Sequence, residues 1–232
     1  MTIRGIAHRG YPVNFPENTL SSFQAAINLG FSHMELDVHM SKDGIPVVIH
    51  DHTIDRMTDG NGEIYSYTLE ELKQFTITPN EKIPTLEEVL QLAKDRIHVS
   101  IELKKPNFYS GIEKKVYEII HKLQMEKQTY IISFNHDSLR KLRAISKDIQ
   151  IGPLVNKVRL THYRLLKKLN AQYFAVKYTA IKEKHIRKCE KLGIQLVVWT
   201  VNTVEQMQTT KQYPSILVTT DELEKYKAVF SQ

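Results

Sequence analysis

Two carboxylates on one face of a predicted strand are the residues of this 232-residue sequence that most suggest chemistry. Glu35 and Asp37 lie two positions apart in the apolar run 34–38, so both side chains project from the same face. Like charges this close are tolerated when a cation lies between them or one holds a proton. Glu102 lies in another predicted strand, and three strand carboxylates predict a hard-cation site, for Mg²⁺ or Ca²⁺ rather than zinc. The alternative is that Glu102 pairs with Lys104, on the same alternating face, to satisfy buried charge.

Two histidines at the ends of apolar runs, His8 and His50, add a pair of groups that titrate near neutrality. Such a pair can serve as base and acid on opposite sides of one reacting phosphorus atom. Arg9 and Lys104 would supply fixed positive charge for anionic oxygens as charge builds in the transition state. An alternative is an H-x-H zinc motif of His50 and His52, which is disfavoured because later strand ends carry no further histidine.

Three other residues are candidates for supporting roles around these groups. Glu17 either complements the start of the first helix, which residues 18–19 cap, or orients Arg9 or the metal. Phe134 and Trp199 lie near strand ends, where they are predicted to line the pocket, although aromatic residues in strands are often part of the core.

The remaining histidines and the single cysteine receive no chemical role. His39 shares the face of the two carboxylates but is interpreted as a polar residue at a loop end. Cys189 falls on a polar helical pattern and is interpreted as incidental. The histidines without converging partners in the sequence are His33, His98, His121, His136, His162 and His185.

The elements that must position these groups follow from an alternation of short β-branched runs with helical patterns. The predicted strands are 5–8, 33–39, 98–104, 130–134, 150–154, 173–176, 196–201 and 216–219. The predicted helices are 19–29, 86–94, 112–123, 137–146, 160–169, 183–192, 204–212 and 222–230. Eight alternations predict an α/β fold, a closed TIM-type (β/α)₈ barrel whose active site lies at the C-terminal ends of the strands. The alternative is an open doubly wound sheet, but no G-x-G-x-x-G fingerprint follows the first strand.

One segment interrupts the alternation. After the second strand, a short apolar run at 46–49 is followed by a polar, glycine-marked stretch at 51–67. We expect a small insertion at about 45–67 that lies over the barrel mouth and shapes access to the site, within a single domain spanning 1–232.

Composition restricts the class of protein. No apolar stretch approaches the roughly 20 residues needed to cross a bilayer, and the start of the chain lacks the pattern of a secretory signal, so a soluble cytoplasmic protein is expected. One cysteine excludes an internal disulfide and a thiolate metal cluster. The net charge of +6 favours anionic partners, but no nucleic-acid-binding signature appears, and a small phosphate-bearing molecule fits equally well. The sequence does not indicate an oligomeric state.

Taken together, these motifs resemble the N-terminal signature of the glycerophosphodiester phosphodiesterases. The matching motifs of the first quarter are His8-Arg9-Gly10, Pro16-Glu17-Asn18-Thr19, Glu35-Leu36-Asp37-Val38, Asp43-Gly44 with Pro46-Val47-Val48, and His50-Asp51 with Asp55-Arg56. Later motifs follow in the family's order at Ile83-Pro84-Thr85-Leu86, Glu102-Leu103-Lys104, Ser133-Phe134, Trp199-Thr200-Val201-Asn202 and Thr220-Asp221. The resemblance therefore spans nearly the entire chain.

The resemblance implies a TIM-type barrel that hydrolyses glycerophosphodiesters to sn-glycerol 3-phosphate and an alcohol. In the mechanism it implies, the substrate's own glycerol hydroxyl attacks phosphorus, and water later opens the cyclic phosphate. The order in which the two histidines act is left open. The implied roles are general acid and base for His8 and His50, one divalent cation (Mg²⁺ or Ca²⁺) on Glu35, Asp37 and Glu102, and phosphate binding by Arg9 and Lys104.

Two departures from the family pattern concern substrate choice. Glu222 follows Asp221 where the family often has proline, and the segment 155–178, with Lys177 at a strand end, matches poorly. These positions are expected to contact the leaving alcohol. The alternatives are a lysophospholipase D or a cyclic-phosphate-forming lyase acting on lysophospholipids, a phosphodiester-binding barrel without catalysis, and a nucleic-acid binder.

Overall fold

The computed structural model describes residues 2–104 and 108–230, and within them a sheet of nine strands is surrounded by nine α-helices. The strands are β1 (Ile3–His8), β2 (Phe31–Met40), β3 (Pro46–Val48), β4 (His98–Leu103), β5 (Thr129–Ser133), β6 (Gln150–Val155), β7 (Tyr173–Lys177), β8 (Gln195–Trp199) and β9 (Leu217–Thr220). The helices are α1 (Leu20–Asn28), α2 (Leu69–Leu72), α3 (Leu86–Ala93), α4 (Ile112–Lys122), α5 (His136–Ile145), α6 (Leu160–Leu169), α7 (Glu183–Lys191), α8 (Val204–Lys211) and α9 (Leu223–Phe230).

Eight of the strands are parallel and close into a barrel. β1 pairs with β2 on one side and with β9 on the other, and the order runs β1-β9-β8-β7-β6-β5-β4-β2. The predicted (β/α)₈ barrel is therefore confirmed, with strand and helix limits shifted by one or two residues at most of the ends. Closure brings the C-terminal ends of all eight strands to one face, where the connections to the helices begin.

The strands are apolar on both faces because each face meets other apolar side chains. On β1, Ile6 packs inside the barrel with residues such as Leu154 and Val197. The neighbouring Ala7 packs outward, in the larger cluster that joins the strands to the helices. Successive side chains of a strand alternate between faces, so one short run supplies both layers of the core.

The segment between β2 and α3 has a small apolar core of its own. β3 runs antiparallel to β2, with Val38 opposite Val48, and the amide of Val48 donates to the carbonyl of Pro84. The cluster includes Ile54, Leu72 and Ile83, so it extends past residue 67. It contains α2, a single turn that the sequence patterns did not predict because four residues are too few to show a helical period.

Among the described residues, none of the helices has both the length and the apolar character needed to cross a lipid bilayer.

Candidate active site

Three acidic side chains converge at the C-terminal face of the barrel. β2 and β4 are parallel neighbours, and Asp37 lies directly opposite Glu102 in their register. Glu35, two residues earlier on β2, points the same way because side chains alternate along a strand. One ligand atom from each of the three carboxylates lies within 4.8 Å of the others. Three acidic groups separated by up to 67 positions in the sequence thus form one oxygen-lined cluster.

The electrostatics of this cluster indicate a deficit of positive charge. Burial and the neighbouring charge of Asp37 raise the pKa of Glu35 to about 8. The same two causes raise the pKa of Glu102 to about 7. Burial acts to raise the pKa of Asp37 as well, but Lys104 and Arg9 outweigh it and hold that pKa below its usual value. Glu35 and Glu102 therefore have too little positive charge nearby to ionise at the pH at which exposed glutamates do.

Two cations contact the cluster from the side. Lys104 Nζ lies 3.1 Å from Glu102 Oε1 and 3.5 Å from Asp37 Oδ1. Arg9 Nε lies 3.2 Å from Asp37 Oδ2, and its NH1 donates to Glu17 Oε1 at 3.1 Å. The pairing of Glu102 with Lys104 thus coexists with the grouping of the three carboxylates.

The donor set fits a hard divalent cation. All three groups offer carboxylate oxygen, the ligand that Mg²⁺ and Ca²⁺ prefer. Asp37 Oδ1 is buried and accepts no hydrogen bond from the described residues, and its contact with Lys104 Nζ, at 3.5 Å, is long, so it can still accept from a cation. His52 is exposed and lies outside this group, which gives no support to the H-x-H zinc alternative.

Each of the two candidate catalytic histidines is held by a carboxylate. His8 Nδ1 lies 2.6 Å from Asp221 Oδ1, and its Nε2 lies 3.8 Å from Glu35 Oε2. His50 Nδ1 lies 2.7 Å from Asp51 Oδ1. When a carboxylate accepts the Nδ1 proton, the Nε2 atom of the neutral ring is the one that can take up a proton. Both rings line one cavity, and in each neutral ring Nε2 is the nitrogen free of the carboxylate.

The pKa values of the two rings move in opposite directions. Burial lowers the pKa of His8, but the hydrogen bond with Asp221 and the charge of Glu35 outweigh burial, and the net shift is upward. Burial lowers the pKa of His50, and the nearby Lys104 adds to that effect.

Asp221 reaches His8 because the barrel closes between β1 and β9. Asp221 directly follows β9, and Ala7 lies opposite Thr220 in the register of the two strands. Asn202, in the connection after β8, fixes the carboxylate. Its Nδ2 donates to Asp221 Oδ2 at 2.6 Å, and its Oδ1 accepts from the Asp221 amide at 2.9 Å.

His50 is positioned by the last residues of β2. The ring of His39 is buried, only 1% exposed, with Nδ1 2.8 Å from the Tyr109 hydroxyl and Nε2 3.1 Å from the His50 carbonyl. The interpretation of His39 as a polar residue at a loop end is therefore wrong. Because β2 continues to Met40, His39 remains within the sheet and supports the backbone of His50.

The connection between β1 and α1 supplies the groups around Asp37. Asn18 Nδ2 donates to Asp37 Oδ2 at 3.0 Å, and the Asp37 amide donates to Asn18 Oδ1 at 3.3 Å. The cap of α1 is Thr19, whose hydroxyl oxygen accepts from the Ser22 amide. Glu17 lies outside the first turn of α1, and its carboxylate binds both Arg9 and Arg56, the latter at 2.6 Å.

Gly10 lets this connection pack tightly on α1. Its φ is +86°, and a Cβ atom at this position would lie 2.4 Å from Ser22 Oγ. Ser22 in turn accepts from the Tyr11 amide at 2.6 Å and donates to the Arg9 carbonyl at 3.1 Å. The left-handed backbone of Arg9, with φ 57°, is held in place by these contacts.

A cavity of about 170 Å³ opens beside these groups. Its polar wall consists of His8, Arg9, Glu35, His50, Ser100, Glu102, Lys104, Thr200 and Thr219. Its apolar wall comes from β5 to β8, and Phe134 and Trp199 meet there edge to face at 5.8 Å between ring centroids. Glu17 and Asp37 do not line the cavity and act on it only through the side chains they contact.

Sequence reasoning missed four residues that hold this site together. Asp51 was visible as the neighbour of His50, and Asp221 as an acidic residue at the last strand end. Asn18 was interpreted only as a possible cap, and Asn202 carried no signal beyond a motif match. Their function as hydrogen-bond partners depends on contacts that no local pattern encodes.

Three other interpretations need correction. Cys189 is not incidental, because it is 1% exposed and belongs to the core between helices and barrel. His33 and His98, opposite each other on β2 and β4, stack at 4.9 Å between ring centroids. His136 and His162 also meet, at 5.9 Å. These histidines do have converging partners.

Comparison with known proteins agrees with this geometry. A sequence model of the glycerophosphoryl diester phosphodiesterase family matches residues 8–225. The chain belongs to this family. It is therefore an enzyme of the hydrolase class, and the predicted resemblance is confirmed.

Individual members of the family are similar over nearly their whole length. The chain is 38% identical over 212 residues to a glycerophosphodiester phosphodiesterase of Caldanaerobacter subterraneus subsp. tengcongensis, covering 88% of this chain and 87% of that protein. An Oleispira antarctica phosphodiesterase, solved in complex with the product sn-glycerol-3-phosphate, superposes with a TM-score of 0.92 at 26% identity, covering 99% and 97% of the two chains. A glycerophosphodiester phosphodiesterase from Thermotoga maritima superposes with a TM-score of 0.82 at 28% identity, covering 99% of each chain.

Proposed function

We propose that this chain hydrolyses glycerophosphodiesters to sn-glycerol 3-phosphate and an alcohol, with one divalent cation, Mg²⁺ or Ca²⁺, on Glu35, Asp37 and Glu102. The observation that supports this most is the convergence of the three carboxylates with two carboxylate-backed imidazoles at one cavity. Packing alone would not require that arrangement, because burying like charges is unfavourable without a compensating cation.

His8 and His50 are assigned the general acid–base steps. Asp221 and Asp51 fix the two rings from behind at Nδ1, which leaves the Nε2 atoms as the exchangeable positions. One ring removes a proton from the attacking oxygen, and the other donates a proton to the oxygen of the leaving alcohol. Neither carboxylate needs to change its own protonation state in this scheme.

The positively charged side chains beside the carboxylates are assigned to binding the substrate phosphate. Lys104 and Arg9 both face the cavity and are held by Asp37, so their positive charges are fixed before substrate binds. A divalent cation, when bound, would polarise a phosphoryl oxygen and offset the negative charge of the transition state. Fixed charges in a water-poor cavity stabilise that charge without reorganisation.

The apolar wall of the cavity is assigned to packing against the carbon skeleton of the substrate. Phe134 and Trp199 flank the cavity opposite the charged groups, and the Trp199 Nε1 atom is buried without a hydrogen-bond partner among the described residues. A glycerol carbon backbone can pack against the two rings. The Oleispira enzyme with sn-glycerol-3-phosphate supports a small phosphate ester as the ligand of this fold.

The test is turnover of glycerophosphocholine followed by phosphorus NMR, with purified protein before and after chelation. Chelation is expected to abolish turnover and Mg²⁺ or Ca²⁺ to restore it. His50→Ala is expected to lower the rate by about 10²- to 10⁴-fold, the usual contribution of a general acid–base group. His52→Ala, an exposed histidine two residues away, is the matched control and should behave as the unmodified protein.

The possible outcomes separate the alternatives. Undiminished turnover after chelation would reject the cation, and equal rates for His50→Ala and the unmodified protein would reject the assigned catalytic role. Accumulation of a cyclic phosphate would indicate a lyase, and turnover confined to acylated substrates would indicate a lysophospholipase D.

A further inference from the structure

Exposed apolar side chains are distributed unequally between the two ends of the barrel. Ten large apolar side chains of the described residues are more than a third exposed. Eight of them lie in connections that follow strands or at first residues of helices, on the face that carries the active site. The two exceptions, Ile145 and Leu192, lie at the C-terminal ends of α5 and α7, on the opposite face. A soluble monomer has no folding reason to collect such residues at one end.

Part of this set lies on one sector, formed by the connections after the adjacent strands β5 to β8. Phe134 follows β5 and is 45% exposed, Leu160 begins α6 and is 85% exposed, and Val204 begins α8 and is 46% exposed. β5, β6, β7 and β8 are consecutive neighbours in the sheet, so these residues lie around one part of the mouth.

The same sector carries exposed cations. Lys157 and Arg159 precede Leu160 on the connection after β6, and Lys177 and Lys182 flank the connection after β7. None of the four lies within 4.0 Å of a carboxylate in the part of the chain that the structure describes. The two connections themselves, 156–159 and 178–182, contain no acidic residue.

Most of the acidic groups near this sector are neutralised locally. Asp137, in the first turn of α5, pairs with Arg140, and Glu183, at the start of α7, pairs with Arg187. Glu205, in the first turn of α8, is the remaining acidic residue at these helix starts among the described residues. The balance of the sector is therefore positive, with Leu160 as its most exposed apolar group.

We propose that this sector, defined by Phe134, Leu160, Val204, Lys157, Arg159, Lys177 and Lys182 and here called the β5–β8 face, docks on the surface of an anionic phospholipid bilayer. Apolar side chains enter the region between head groups and acyl chains, while flanking lysine and arginine side chains contact anionic head groups. Nucleic acid would use the cations but would leave Leu160 exposed, whereas a bilayer uses both. The inference does not depend on the proposed function.

Docking in this orientation would place the cavity mouth against the membrane. Phe134 belongs both to the cavity wall and to the β5–β8 face, so the two surfaces are continuous. The segment between β2 and α3 is rich in acidic residues, among them Asp55, Asp59 and Glu63. An anionic surface would repel this acidic segment, so the barrel is expected to tilt with its β5–β8 face toward the membrane.

The test is co-sedimentation of the full chain with vesicles made of equal parts phosphatidylglycerol and phosphatidylcholine, and with vesicles of phosphatidylcholine alone. Binding is expected for the anionic vesicles, and it should weaken as salt is raised. Each cation near an anionic surface strengthens binding about fivefold, so Lys157→Gln with Arg159→Gln should weaken it roughly 25-fold. Leu160→Ser should weaken binding at high salt, where the apolar contribution remains.

The matched control removes the same charge from the other end of α6. Lys167 and Lys168 lie at the opposite end of α6, and Lys167→Gln with Lys168→Gln should leave vesicle binding unchanged. The melting temperature and circular dichroism spectrum of each variant should match those of the unmodified protein, which shows that each remains folded.

Three results would overturn the proposal. One is absence of binding to anionic vesicles at low salt, and another is an equal loss of binding in the control variant. The third is concentration-dependent self-association through Leu160 without vesicle binding, which would assign the β5–β8 face to a second copy of the chain.

Discussion

Replacement of Asp221 by Asn is expected to remove most of the activity while leaving the fold nearly intact. Asp221 contacts the proposed catalytic ring only from behind: its Oδ1 lies 2.6 Å from His8 Nδ1, on the side away from the carboxylate cluster. Its effect on the reaction is therefore exerted through the orientation and tautomer of His8, which makes it a positioning residue.

The surrounding hydrogen bonds determine how an amide would be oriented at this position. Asn202 Oδ1 already accepts from the Asp221 amide at 2.9 Å and from the Thr220 hydroxyl at 3.2 Å, so its Nδ2 group must face residue 221. A carboxylate can accept from both Asn202 Nδ2 and His8 Nδ1, whereas an amide has a single oxygen. If that oxygen accepts from Asn202, the amide NH₂ group faces His8 and favours the ring with its proton on Nε2.

The expected size of the effect follows from the tautomer. With the proton on Nε2, that atom can no longer accept one, and the loss should approach the full contribution of a general acid–base group, about 10²- to 10⁴-fold in kcat. A hundredfold loss corresponds to about 3 kcal/mol of transition-state stabilisation. Folding stability should change by only about 1 to 3 kcal/mol, the usual cost of one altered hydrogen bond to a charged group.

The assay is kcat and KM for glycerophosphocholine, with the melting temperature measured on the same preparations. Glu205→Gln is the matched control, because Glu205 is an exposed carboxylate in the first turn of α8 and does not line the cavity. Asn202→Ala in the Asp221→Asn background frees the amide oxygen for His8 and should restore part of the lost rate.

Removal of Asp221 should also move the pH profile. Its hydrogen bond opposes the effect of burial and helps to raise the pKa of His8, so the limb that belongs to His8 should shift to lower pH in the variant. An unchanged kcat in Asp221→Asn, or a double variant as slow as the single one, would refute the reasoning about the tautomer.

The remaining predictions concern stability. Burial raises the pKa of Glu102 from 4.5 to about 7, so the folded protein without metal binds the Glu102 proton more tightly than the unfolded chain does. This contribution to the free energy of unfolding is present below pH 4.5 and is lost as the pH rises through about 7. Glu102→Gln should therefore raise the melting temperature of chelated protein at neutral pH and abolish stabilisation by Mg²⁺ or Ca²⁺, and an undiminished cation effect would contradict the ligand assignment. Burial lowers the pKa of His33 to about 3, so stability is lost as pH falls below 6.5, by about 2 kcal/mol at about pH 5. His33→Gln should reduce that loss, which thermal unfolding of both proteins at about pH 6.5 and about pH 5 would show. An equal loss of stability in the variant and the unmodified protein would contradict the assignment. Gly10→Ala should cost about 1 to 3 kcal/mol in denaturant unfolding, because its Cβ would meet Ser22 Oγ at 2.4 Å. Gly44→Ala, with φ +78° and no atom within 4 Å of its Cβ, is the control and should cost less.

Much of the fold and of the candidate site could be predicted because it depends on local periodicity. The two-residue spacing of Glu35 and Asp37 places both carboxylates on one face of any strand, whatever that strand pairs with. Eight alternations of strand and helix patterns predicted a closed barrel, and parallel strands place their C-terminal ends on one face. The positions of His8 and Glu102 near those ends were therefore visible from the sequence, and His50 was visible as the end of a further apolar run.

Elements too short to show a periodic pattern of apolar residues, or with ends set by tertiary contacts, were harder to predict. The helix α2 has four residues, too few to show an amphipathic pattern, and it exists because Thr68 and Glu71 form a capping box around it. His39 was misassigned because the end of β2 depends on its pairing with β3, which is a tertiary contact.

The sequence by itself determined the inventory of reactive groups and the strands that carry them. Only the tertiary structure decided which groups meet: Asp221 with His8 across 213 positions of the chain, Asn18 with Asp37 across 19, and Arg56 with Glu17 across 39. The physical reason is that side-chain direction along a strand is a property of the local backbone. The partner of a side chain depends instead on sheet register and barrel closure, which are set by the packing of the whole chain.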